Sequence, residues 1–441
     1  MSEHAVRTVS DATQARAGRR ALRAAMFGFF VDMYDVYLPV IVLAPAIAYF
    51  SPADASPLAR TTLTGAIFAA SLIGRPLGSV IFGVMGDRLG RRRTTIWVAT
   101  GFTVCTGIIA LLPGYPTIGV LAPVLLVLLR LLDGVFLGGE YTAANPLAME
   151  YAPAHRRGLY GALLNIGYPA ALGVITVLTM VLLKLIPSDG VTSPYAVWGW
   201  RIPFAVGFVL SAAIVVSYVR SVPESELWTK MPKAERPLRT LFTGRNLRSF
   251  GLAFLVGTGA WLTLDATVGV FAGHFATLGA SSALVNATIL AAAALAVCMF
   301  PFVGAAGQRY GRRAVFLVLG GVNLVVGPIL FGVAIAGAHN SAVVLVCGGL
   351  ALLCALPIWA MISAYLLELF PTAIRSSGYG IAYSLPSVLP AFYPYVMAGL
   401  AGAGIMPFEY TPVVLLAIGG LFLIAGAARS RDLRHVDLAD A

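Results

Sequence analysis

The chain has 441 residues, of which 59% are hydrophobic and 11% are charged, and its mean hydropathy is +0.86. This charge content excludes an ordinary soluble protein, because soluble domains carry charges on about a quarter of their residues. The formal net charge of +11 comes from lysines and arginines in short loops rather than on one face, which argues against a nucleic-acid partner.

Apolar runs recur along the whole chain after a polar N-terminal segment, residues 1–24, whose composition predicts an irregular tail. A helix needs about 20 mostly apolar residues to cross a bilayer. The runs therefore predict twelve transmembrane helices, at 26–50, 61–84, 95–113, 118–149, 159–186, 197–220, 248–276, 283–306, 314–336, 342–368, 377–402 and 411–428.

The first two predicted helices carry charges within apolar sequence. Asp32 and Asp35 are three residues apart and therefore share a helix face. A carboxylate at the bilayer centre costs about 2.5–3.5 kcal/mol, so both residues should face a polar cavity or a cation. Arg75 in the second helix is the natural partner of Asp32 or Asp35. Such a pair has two interpretations, a structural ion pair that fixes helix packing or a carboxylate that carries a transported proton.

A hairpin rich in glycine and arginine, GVMGDRLGRRR at residues 83–93, follows the second helix. Its glycines permit close helix approach, and Asp87 can accept hydrogen bonds from backbone donors at a neighbouring helix N-terminus. A partial copy, GAAGQRYGRR, starts at residue 304, which is 221 residues after residue 83. Because this offset is half the chain, the sequence predicts a duplicated membrane protein.

The fourth predicted helix carries a polar stripe in the segment RLLDGVFLGGE. Arg130, Asp133 and Glu140 fall within a sector of about 80° when successive residues are placed 100° apart. Glycines flank this stripe, so the helix is expected to pack tightly and to present its charges inward. Asp133 has two alternative roles, an ion pair with Arg130 one turn away or proton coupling.

A second repeated segment follows the fourth helix. EYAPAHRRGLYG, which begins at Glu150, is echoed 218 residues later by ELFPTAIRSSGYG, which begins at Glu368. The similar offset of both repeats predicts two parallel six-helix repeats. Each glutamate stands at a helix end with an arginine seven residues further on, so local charge pairing is expected with Arg157 and Arg375.

The second half is poorer in buried charge, with Asp265 and His274 in the seventh helix and Tyr383 in the eleventh. For His274 a hydrogen bond at a helix end is favoured over a proton relay. The predicted organisation is a tail at 1–24, a six-helix bundle at 25–220, a linker at 221–247, a second bundle at 248–429 and a tail at 430–441. The basic segments before helix 1, after helix 2 and in the linker share one side of the membrane, so both termini are expected in the cytoplasm.

The two hairpin copies resemble the signature that lies between helices 2 and 3 and between helices 8 and 9 of the major facilitator superfamily. The segments FVDMYDVYLPVIVLAP, RPLGSVIFGVMGDRLGRR, GGEYTAANPLAMEYAPAHRRGLYG and ELFPTAIRSSGYGIAYSLP narrow this resemblance to the metabolite:proton symporter family. That family includes permeases for alpha-ketoglutarate, citrate, shikimate and proline or betaine. The resemblance implies an all-α membrane protein with twelve transmembrane helices in two six-helix bundles.

The resemblance and the charge pattern together select two sets of functional residues. The proton-coupling and substrate-cavity candidates are Asp32, Asp35, Arg75, Arg130, Asp133, Glu140, Asp265 and Tyr383. The cytoplasmic gate candidates are Gly83, Asp87, Arg88, Gly90, Arg91, Arg92 and Arg312. The sequence departs from the family at Asp32 and Met33, where Glu and Trp are common, and at Asp133, where Gln is common. It also has Gln308 where the second hairpin often has Asp, which puts a charge-based gate in doubt for the second half.

The expected function is proton-driven symport of a small organic metabolite, most simply an organic acid, by alternating access in the inner or plasma membrane. The alternatives are a proline- or betaine-type zwitterion symporter, a drug/proton antiporter and a non-transporting membrane sensor. An enzyme is not expected, because the sequence shows no nucleophile with a histidine partner, no metal-ligand cluster and no phosphate-binding loop. The expected partners are the solute, protons and the lipid bilayer. No cofactor or metal is expected, and we expect a monomer.

Overall fold

The protein is helical throughout the part of the chain that the structure describes. This computed structural model describes residues 3–55, 57–188, 190, 192–230, 234–436 and 438, and no strand occurs among them. The principal helices are α1 (Glu3–Tyr37), α2 (Pro57–Leu89), α3 (Arg91–Leu111), α4 (Leu121–Glu150), α5 (Ala154–Leu185), α6 (Tyr195–Arg220), α7 (Gly244–Thr277), α8 (Ser282–Tyr310), α9 (Arg312–Ala336), α10 (Ser341–Leu369), α11 (Arg375–Ser384, then Tyr393–Gly402) and α12 (Phe408–Ala428). Ten of these, α2 to α10 and α12, contain segments long and apolar enough to cross a membrane, and α1 and α11 complete the twelve predicted spans within the described residues.

Helix α1 starts much earlier than the sequence predicts. It begins at Glu3, so the expectation of an irregular tail over residues 1–24 is wrong for the described part of that segment. The segment is rich in alanine and arginine, which are strong helix formers, and this propensity outweighs the absence of an apolar stripe. After Tyr37 the chain continues through a π-helical turn, Leu38–Val42, and a 3₁₀ helix, Ala44–Phe50.

Helix α11 is interrupted near its middle. The α-helical part Arg375–Ser384 is followed by the 3₁₀ turns Leu385–Ser387 and Pro390–Phe392 before the helix resumes. Pro386 and Pro390 lie in these turns, and proline has no backbone N–H to donate to an α-helical hydrogen bond. The eleventh predicted span therefore consists of two helical halves.

Helices α2 and α4 approach each other closely through glycines. A Cβ placed on Gly134 would lie 2.7 Å from the Cα of Ser71, and one placed on Gly138 would lie 2.7 Å from the Cα of Arg75. Only glycine permits such backbone contact, as in other small-residue helix interfaces of membranes. This contact holds Arg75 beside the polar stripe of α4.

The packing divides the chain into two compact units that do not follow the order of the sequence. The first unit comprises Met1–Ala152, Val174–Leu238 and Thr372–Ile381, and the second comprises Pro153–Gly173, Arg239–Pro371 and Ala382–Ala441. The first part of α5 thus belongs to the second unit, and the first part of α11 belongs to the first. The boundaries of two six-helix bundles at 25–220 and 248–429 stay predictions.

Each unit has an apolar interior and an apolar outer surface. In the first unit Val31, Phe102, Leu137 and Ile214 form part of one buried cluster that joins α1, α3, α4 and α6. Large apolar side chains are nevertheless exposed in both units, as for Trp97, which is 70% exposed. Apolar side chains on the outer surface are typical of a protein whose solvent is lipid.

Candidate functional site

An ion pair between α1 and α2 is the first part of a buried charge network in the first unit. Arg75 Nη2 lies 3.1 Å from Asp32 Oδ1, and both side chains are buried. The guanidinium of Arg75 also lies 5.9 Å from the centre of the Tyr141 ring, within the range of a cation–π contact. The second carboxylate oxygen of Asp32 has no hydrogen-bond partner among the described residues. The sequence-based choice between Asp32 and Asp35 as the partner of Arg75 is thus resolved in favour of Asp32.

Arg130 on α4 bridges two further carboxylates. Its Nη1 lies 2.7 Å from Asp35 Oδ2 and 2.8 Å from Asp133 Oδ2. Thr106 on α3 donates a hydrogen bond of 3.0 Å to the other oxygen of Asp35. The pairing of Asp133 with Arg130, expected from their spacing of three residues, is present. Sequence reasoning did not identify Thr106, because a threonine inside an apolar helix is common and carries no distinctive pattern.

Glu140 is the fourth carboxylate of this region, and it differs from the others. It is fully buried, and neither of its oxygens has a hydrogen-bond partner among the described residues. Gly28 leaves space for it, because a Cβ at that position would contact Glu140 Oε1. Burial of an unpaired ionised carboxylate is strongly unfavourable, so this position favours a neutral side chain.

The other two cavity candidates, Asp265 and Tyr383, belong to the second unit. Asp265 opens a π-helical turn, Asp265–Gly269, within α7, and π-helical turns are often found at functional sites. Tyr383 packs in a buried aromatic cluster with Trp261 and Trp359, with ring centres 6.0 and 5.7 Å away, and the two indoles are 4.7 Å apart. The Trp261 indole N–H donates to the Tyr383 carbonyl at 3.0 Å.

Among the gate candidates, Asp87 binds the start of α11. Its Oδ1 accepts a hydrogen bond from the Ser376 amide and its Oδ2 accepts one from the Ser377 amide, both at 2.9 Å. The amides at a helix N-terminus have no intrahelical acceptor, and the helix dipole favours a negative charge there. Gly83 permits this contact, since a Cβ there would lie 2.8 Å from the Ser377 Cα. Asp87 therefore does what the sequence predicts, and α11 is the helix that it caps.

Arg91 connects Asp87 to a second carboxylate. Its Nη2 lies 3.7 Å from Asp87 Oδ1 and 3.3 Å from Glu150 Oε1. Arg375 Nη1 lies 3.0 Å from the same oxygen of Glu150. The expected pairing of Glu150 with Arg157 is wrong, because Arg157 belongs to the second unit whereas the segment that contains Arg375 belongs to the first.

The turn between α2 and α3 is held by a carboxylate that sequence reasoning missed. Gly90 has φ of +110°, a backbone conformation that favours glycine. Glu224 Oε1 accepts hydrogen bonds of 3.1 Å from the amides of Arg91 and Arg92 at the start of α3. Arg92 also donates through Nε to the Val222 carbonyl at 2.6 Å. The signal for this carboxylate, a glutamate that follows a proline in the linker, is too common to be recognised.

The side chain of Arg88 binds a backbone carbonyl of the linker and not a carboxylate. Its Nη2 donates to the backbone carbonyl of Glu235, which lies between the predicted bundles. The Trp228 indole in the same linker donates to the Asp87 carbonyl at 2.9 Å. The linker thus packs against the first hairpin at two positions.

The second hairpin makes a similar contact with a neutral acceptor. Gln308 Oε1 accepts a hydrogen bond of 2.9 Å from the Gly158 amide at the start of α5. Arg312 Nη2 lies 2.9 Å from Gln308 Oε1 and 2.9 Å from Glu368 Oε1. Glu368 is also 3.9 Å from Arg157, so its expected pairing with Arg375 is wrong for the reason given above. The hairpin geometry is conserved between the repeats, whereas the charge is not.

Two buried asparagines in apolar helices were also missed. Asn145 Nδ2 donates to the Tyr379 hydroxyl at 2.9 Å, and Asn165 Nδ2 donates to Ser363 Oγ at 2.8 Å. An amide within an apolar run is a usable signal, because such groups in membrane helices normally bond across helices. Among the described residues, no group of three or more His, Cys, Asp or Glu side chains is placed to hold a metal ion.

Comparison with known proteins identifies the family of this chain. A family model described as "Sugar (and other) transporter" matches residues 21–249. The chain is 32% identical over 447 residues to the inner membrane metabolite transport protein YhjE of Escherichia coli (strain K12), with 97% of each chain covered. It is 29% identical over 430 residues to the alpha-ketoglutarate permease of the same strain, covering 95% of this chain and 96% of the permease.

The same fold is found in a solved structure, the major facilitator superfamily proton:xylose symporter XylE bound to 6-bromo-6-deoxy-D-glucose. The TM-score is 0.74 at 19% sequence identity, with 95% of this chain and 98% of that chain covered. The family resemblance and the twelve-helix fold class are thereby confirmed. The chain belongs to the Sugar (and other) transporter family of the major facilitator superfamily, and it is a multi-pass membrane transporter of metabolites rather than an enzyme.

Proposed function

We propose that this transporter is a proton-coupled symporter that carries a small organic metabolite by alternating access. The observation that carries the proposal is Glu140, a fully buried carboxyl with no hydrogen-bond partner among the described residues. We further propose that it works as a monomer in the inner or plasma membrane with both termini in the cytoplasm, and that it needs no cofactor beyond the proton gradient.

The charge balance of the first unit supports a proton on Glu140. Four buried carboxylates share two arginines: Arg130 is close to Asp35 and Asp133, and Arg75 is close to Asp32. An ionised carboxylate in a low-dielectric interior needs a partner, and its protonation removes the uncompensated charge. Glu140 is therefore the proposed proton carrier, and the carboxylates that bind Arg130 are proposed to be mainly structural.

The two hairpins support the alternating-access part of the proposal. Asp87 and Gln308 each bind the start of a helix that lies far away in the sequence. Such contacts depend on a few hydrogen bonds, so they can break and re-form at a modest free-energy cost. We propose that they are remade in each transport cycle, with the arginines of both hairpins as part of the gate.

An organic acid is the first proposed substrate class. The name of the alpha-ketoglutarate permease, to which 95% of this chain aligns, supports this class. Arg75 is the candidate for binding a substrate carboxylate, because guanidinium groups bind carboxylates well. A proton on Glu140 would balance the negative charge that a bound anion adds to the first unit, and this would link the binding of an anion to the uptake of a proton.

The aromatic cluster of the second unit favours a second candidate, a zwitterion with an ammonium group. Trp261, Trp359 and Tyr383 place three aromatic rings within 6.0 Å of one another. Aromatic rings of this kind attract quaternary ammonium groups by cation–π interaction. The excess of carboxylates around Arg75 and Arg130 also suits a substrate with a positive group better than a simple anion.

Uptake into proteoliposomes with an imposed pH gradient tests the proposal. Labelled 2-oxoglutarate, proline and glycine betaine represent the two substrate classes, and a cationic dye represents drug exchange. Glu140→Gln should abolish gradient-driven accumulation and spare exchange of labelled for unlabelled substrate. Glu226→Gln is the matched control, because Glu226 is exposed and should leave accumulation unchanged. Binding of a solute without any transport would instead favour a sensor.

A further inference from the structure

A basic pocket in the second unit carries four arginines that have no role in the transport mechanism described above. It is a cavity of about 650 Å³, and its walls include four arginines and one glutamate: Arg245, Arg248, Arg429, Arg431 and Glu368. The four arginines are exposed, whereas Glu368 is buried in the wall. We refer to these five residues as the arginine pocket.

Close packing of α7 against α12 brings the arginines together. A Cβ on Gly259 would lie 2.7 Å from the Leu423 amide nitrogen, and one on Gly426 would lie 2.8 Å from the Val256 amide nitrogen. The residue numbers rise along one helix as they fall along the other, so the helices are antiparallel. The start of α7, with Arg245 and Arg248, is therefore level with the end of α12 and the arginines that follow it.

The positive charges of the arginine pocket are not paired with other side chains in the part of the chain that the structure describes. None of its four arginines forms an ion pair or a hydrogen bond with another described residue through its side chain. Glu368 cannot neutralise them, because its carboxylate is bound by Arg312 at 2.9 Å. The N-terminus of the helix Gly244–Leu264 adds a partial positive charge at the same place. Four like charges around one cavity favour a multiply charged or phosphate anion.

The position of the arginine pocket indicates where such an anion would come from. Its arginines lie at or just beyond the ends of two membrane-crossing segments, Gly244–Thr277 and Phe408–Ala428. Lipid headgroups lie at this depth, and basic pockets between transmembrane helices are suited to phosphate headgroups. Phe242 and Leu247, which are 41% and 49% exposed, stand next to these arginines in the sequence and can contact acyl chains.

We propose that the arginine pocket binds a phosphate group, supplied by an anionic phospholipid or by free inorganic phosphate. The guanidinium groups of Arg245, Arg248 and Arg429 bind the phosphate oxygens, and Arg431 adds charge at the rim. This inference does not depend on the substrate or on proton coupling.

Titration of the purified full-length protein with phosphatidylglycerol, followed by native mass spectrometry, tests the proposal. The triple variant R245Q/R248Q/R429Q should bind phosphatidylglycerol about a hundredfold more weakly, since each basic residue contributes about fivefold. The matched control is R19Q/R20Q/R23Q, which removes three exposed arginines from the first unit and should bind as the wild type does. The charge-conserving variant R245K/R248K/R429K should keep most of the affinity. Its unfolding midpoint, compared with that of the wild type, checks that the fold is intact.

A second titration with inorganic phosphate, in phosphatidylcholine nanodiscs, separates the two sources. A rise in the unfolding midpoint that needs the three arginines would assign the site to free phosphate, whereas binding of phosphatidylglycerol alone would assign it to lipid. The proposal would be overturned by two results together. R245Q/R248Q/R429Q and R19Q/R20Q/R23Q would bind phosphatidylglycerol with equal affinity, and phosphate would change the unfolding midpoint of the wild type no more than that of R245Q/R248Q/R429Q.

Discussion

The contact between Asp87 and the start of α11 allows a prediction of how strongly one carboxylate protects two backbone amides from hydrogen exchange. Asp87 accepts hydrogen bonds of 2.9 Å from the amides of Ser376 and Ser377, and its side chain is buried. Hydrogen bonds to a charged group contribute about 1.5–3 kcal/mol each, so the pair contributes at least about 3 kcal/mol. Because about 1.4 kcal/mol corresponds to a factor of ten, Asp87→Ala should raise the opening equilibrium of these amides more than about hundredfold.

Hydrogen–deuterium exchange of the protein in nanodiscs measures this opening and needs no knowledge of the substrate. Gln308→Ala removes the equivalent neutral contact to the Gly158 amide. A neutral hydrogen bond contributes about 0.5–1.5 kcal/mol, so exchange at Gly158 should rise only about tenfold or less. Asp54→Ala is the control, because Asp54 is exposed and should leave both helix starts unchanged. Unchanged protection at Ser376 and Ser377 in Asp87→Ala, or an equal effect of Gln308→Ala at Gly158, would refute the reasoning.

Three further predictions concern the first unit. Asp35→Asn should reduce gradient-driven accumulation and exchange together in proteoliposomes, because Asp35 is proposed to hold Arg130 in place; loss of accumulation with exchange intact would instead identify Asp35 as the proton carrier. Arg130→Leu should destabilise the protein by about 3–5 kcal/mol, because two buried carboxylates lose their shared cation, and Asp133→Asn in that background should partly restore the unfolding midpoint. Gly138→Ala should cost about 1–3 kcal/mol by forcing α2 and α4 apart, whereas Gly65→Ala, whose added Cβ would meet no atom within 4 Å, should not lower the unfolding midpoint.

Much of the fold could be predicted from the sequence because each helix that crosses the lipid needs a long run of apolar residues. Twelve apolar runs of sufficient length are visible without any structure, and small residues mark the contact of α2 with α4. Short-range geometry was equally predictable: Arg130 and Asp133 are one helical turn apart and do form an ion pair. The partner of Arg75 needed only a choice between two neighbouring carboxylates.

Contacts between distant parts of the chain were not predictable in the same way. Glu150 binds Arg375 rather than Arg157, although Arg157 is much nearer in the sequence. The reason is that the starts of α5 and α11 each belong to the unit formed mainly by the other half of the chain. Charge pattern and spacing describe a helix and its neighbours in sequence. They contain no information about a helix start that packs in the unit formed mainly by the other half of the chain.

The unequal sharing of two arginines among four carboxylates is what distinguishes Glu140 from the other acidic residues. The sequence presents Asp32, Asp35, Asp133 and Glu140 as equivalent acids in apolar helices. Asp32 lies 3.1 Å from Arg75, and Asp35 and Asp133 share Arg130 at 2.7 and 2.8 Å. Both oxygens of Glu140 are without a hydrogen-bond partner among the described residues. The free energy of an uncompensated buried charge is therefore concentrated at Glu140. Since protonation is the simplest way to remove that charge, Glu140 is the residue whose occupancy by a proton should follow the gradient most directly.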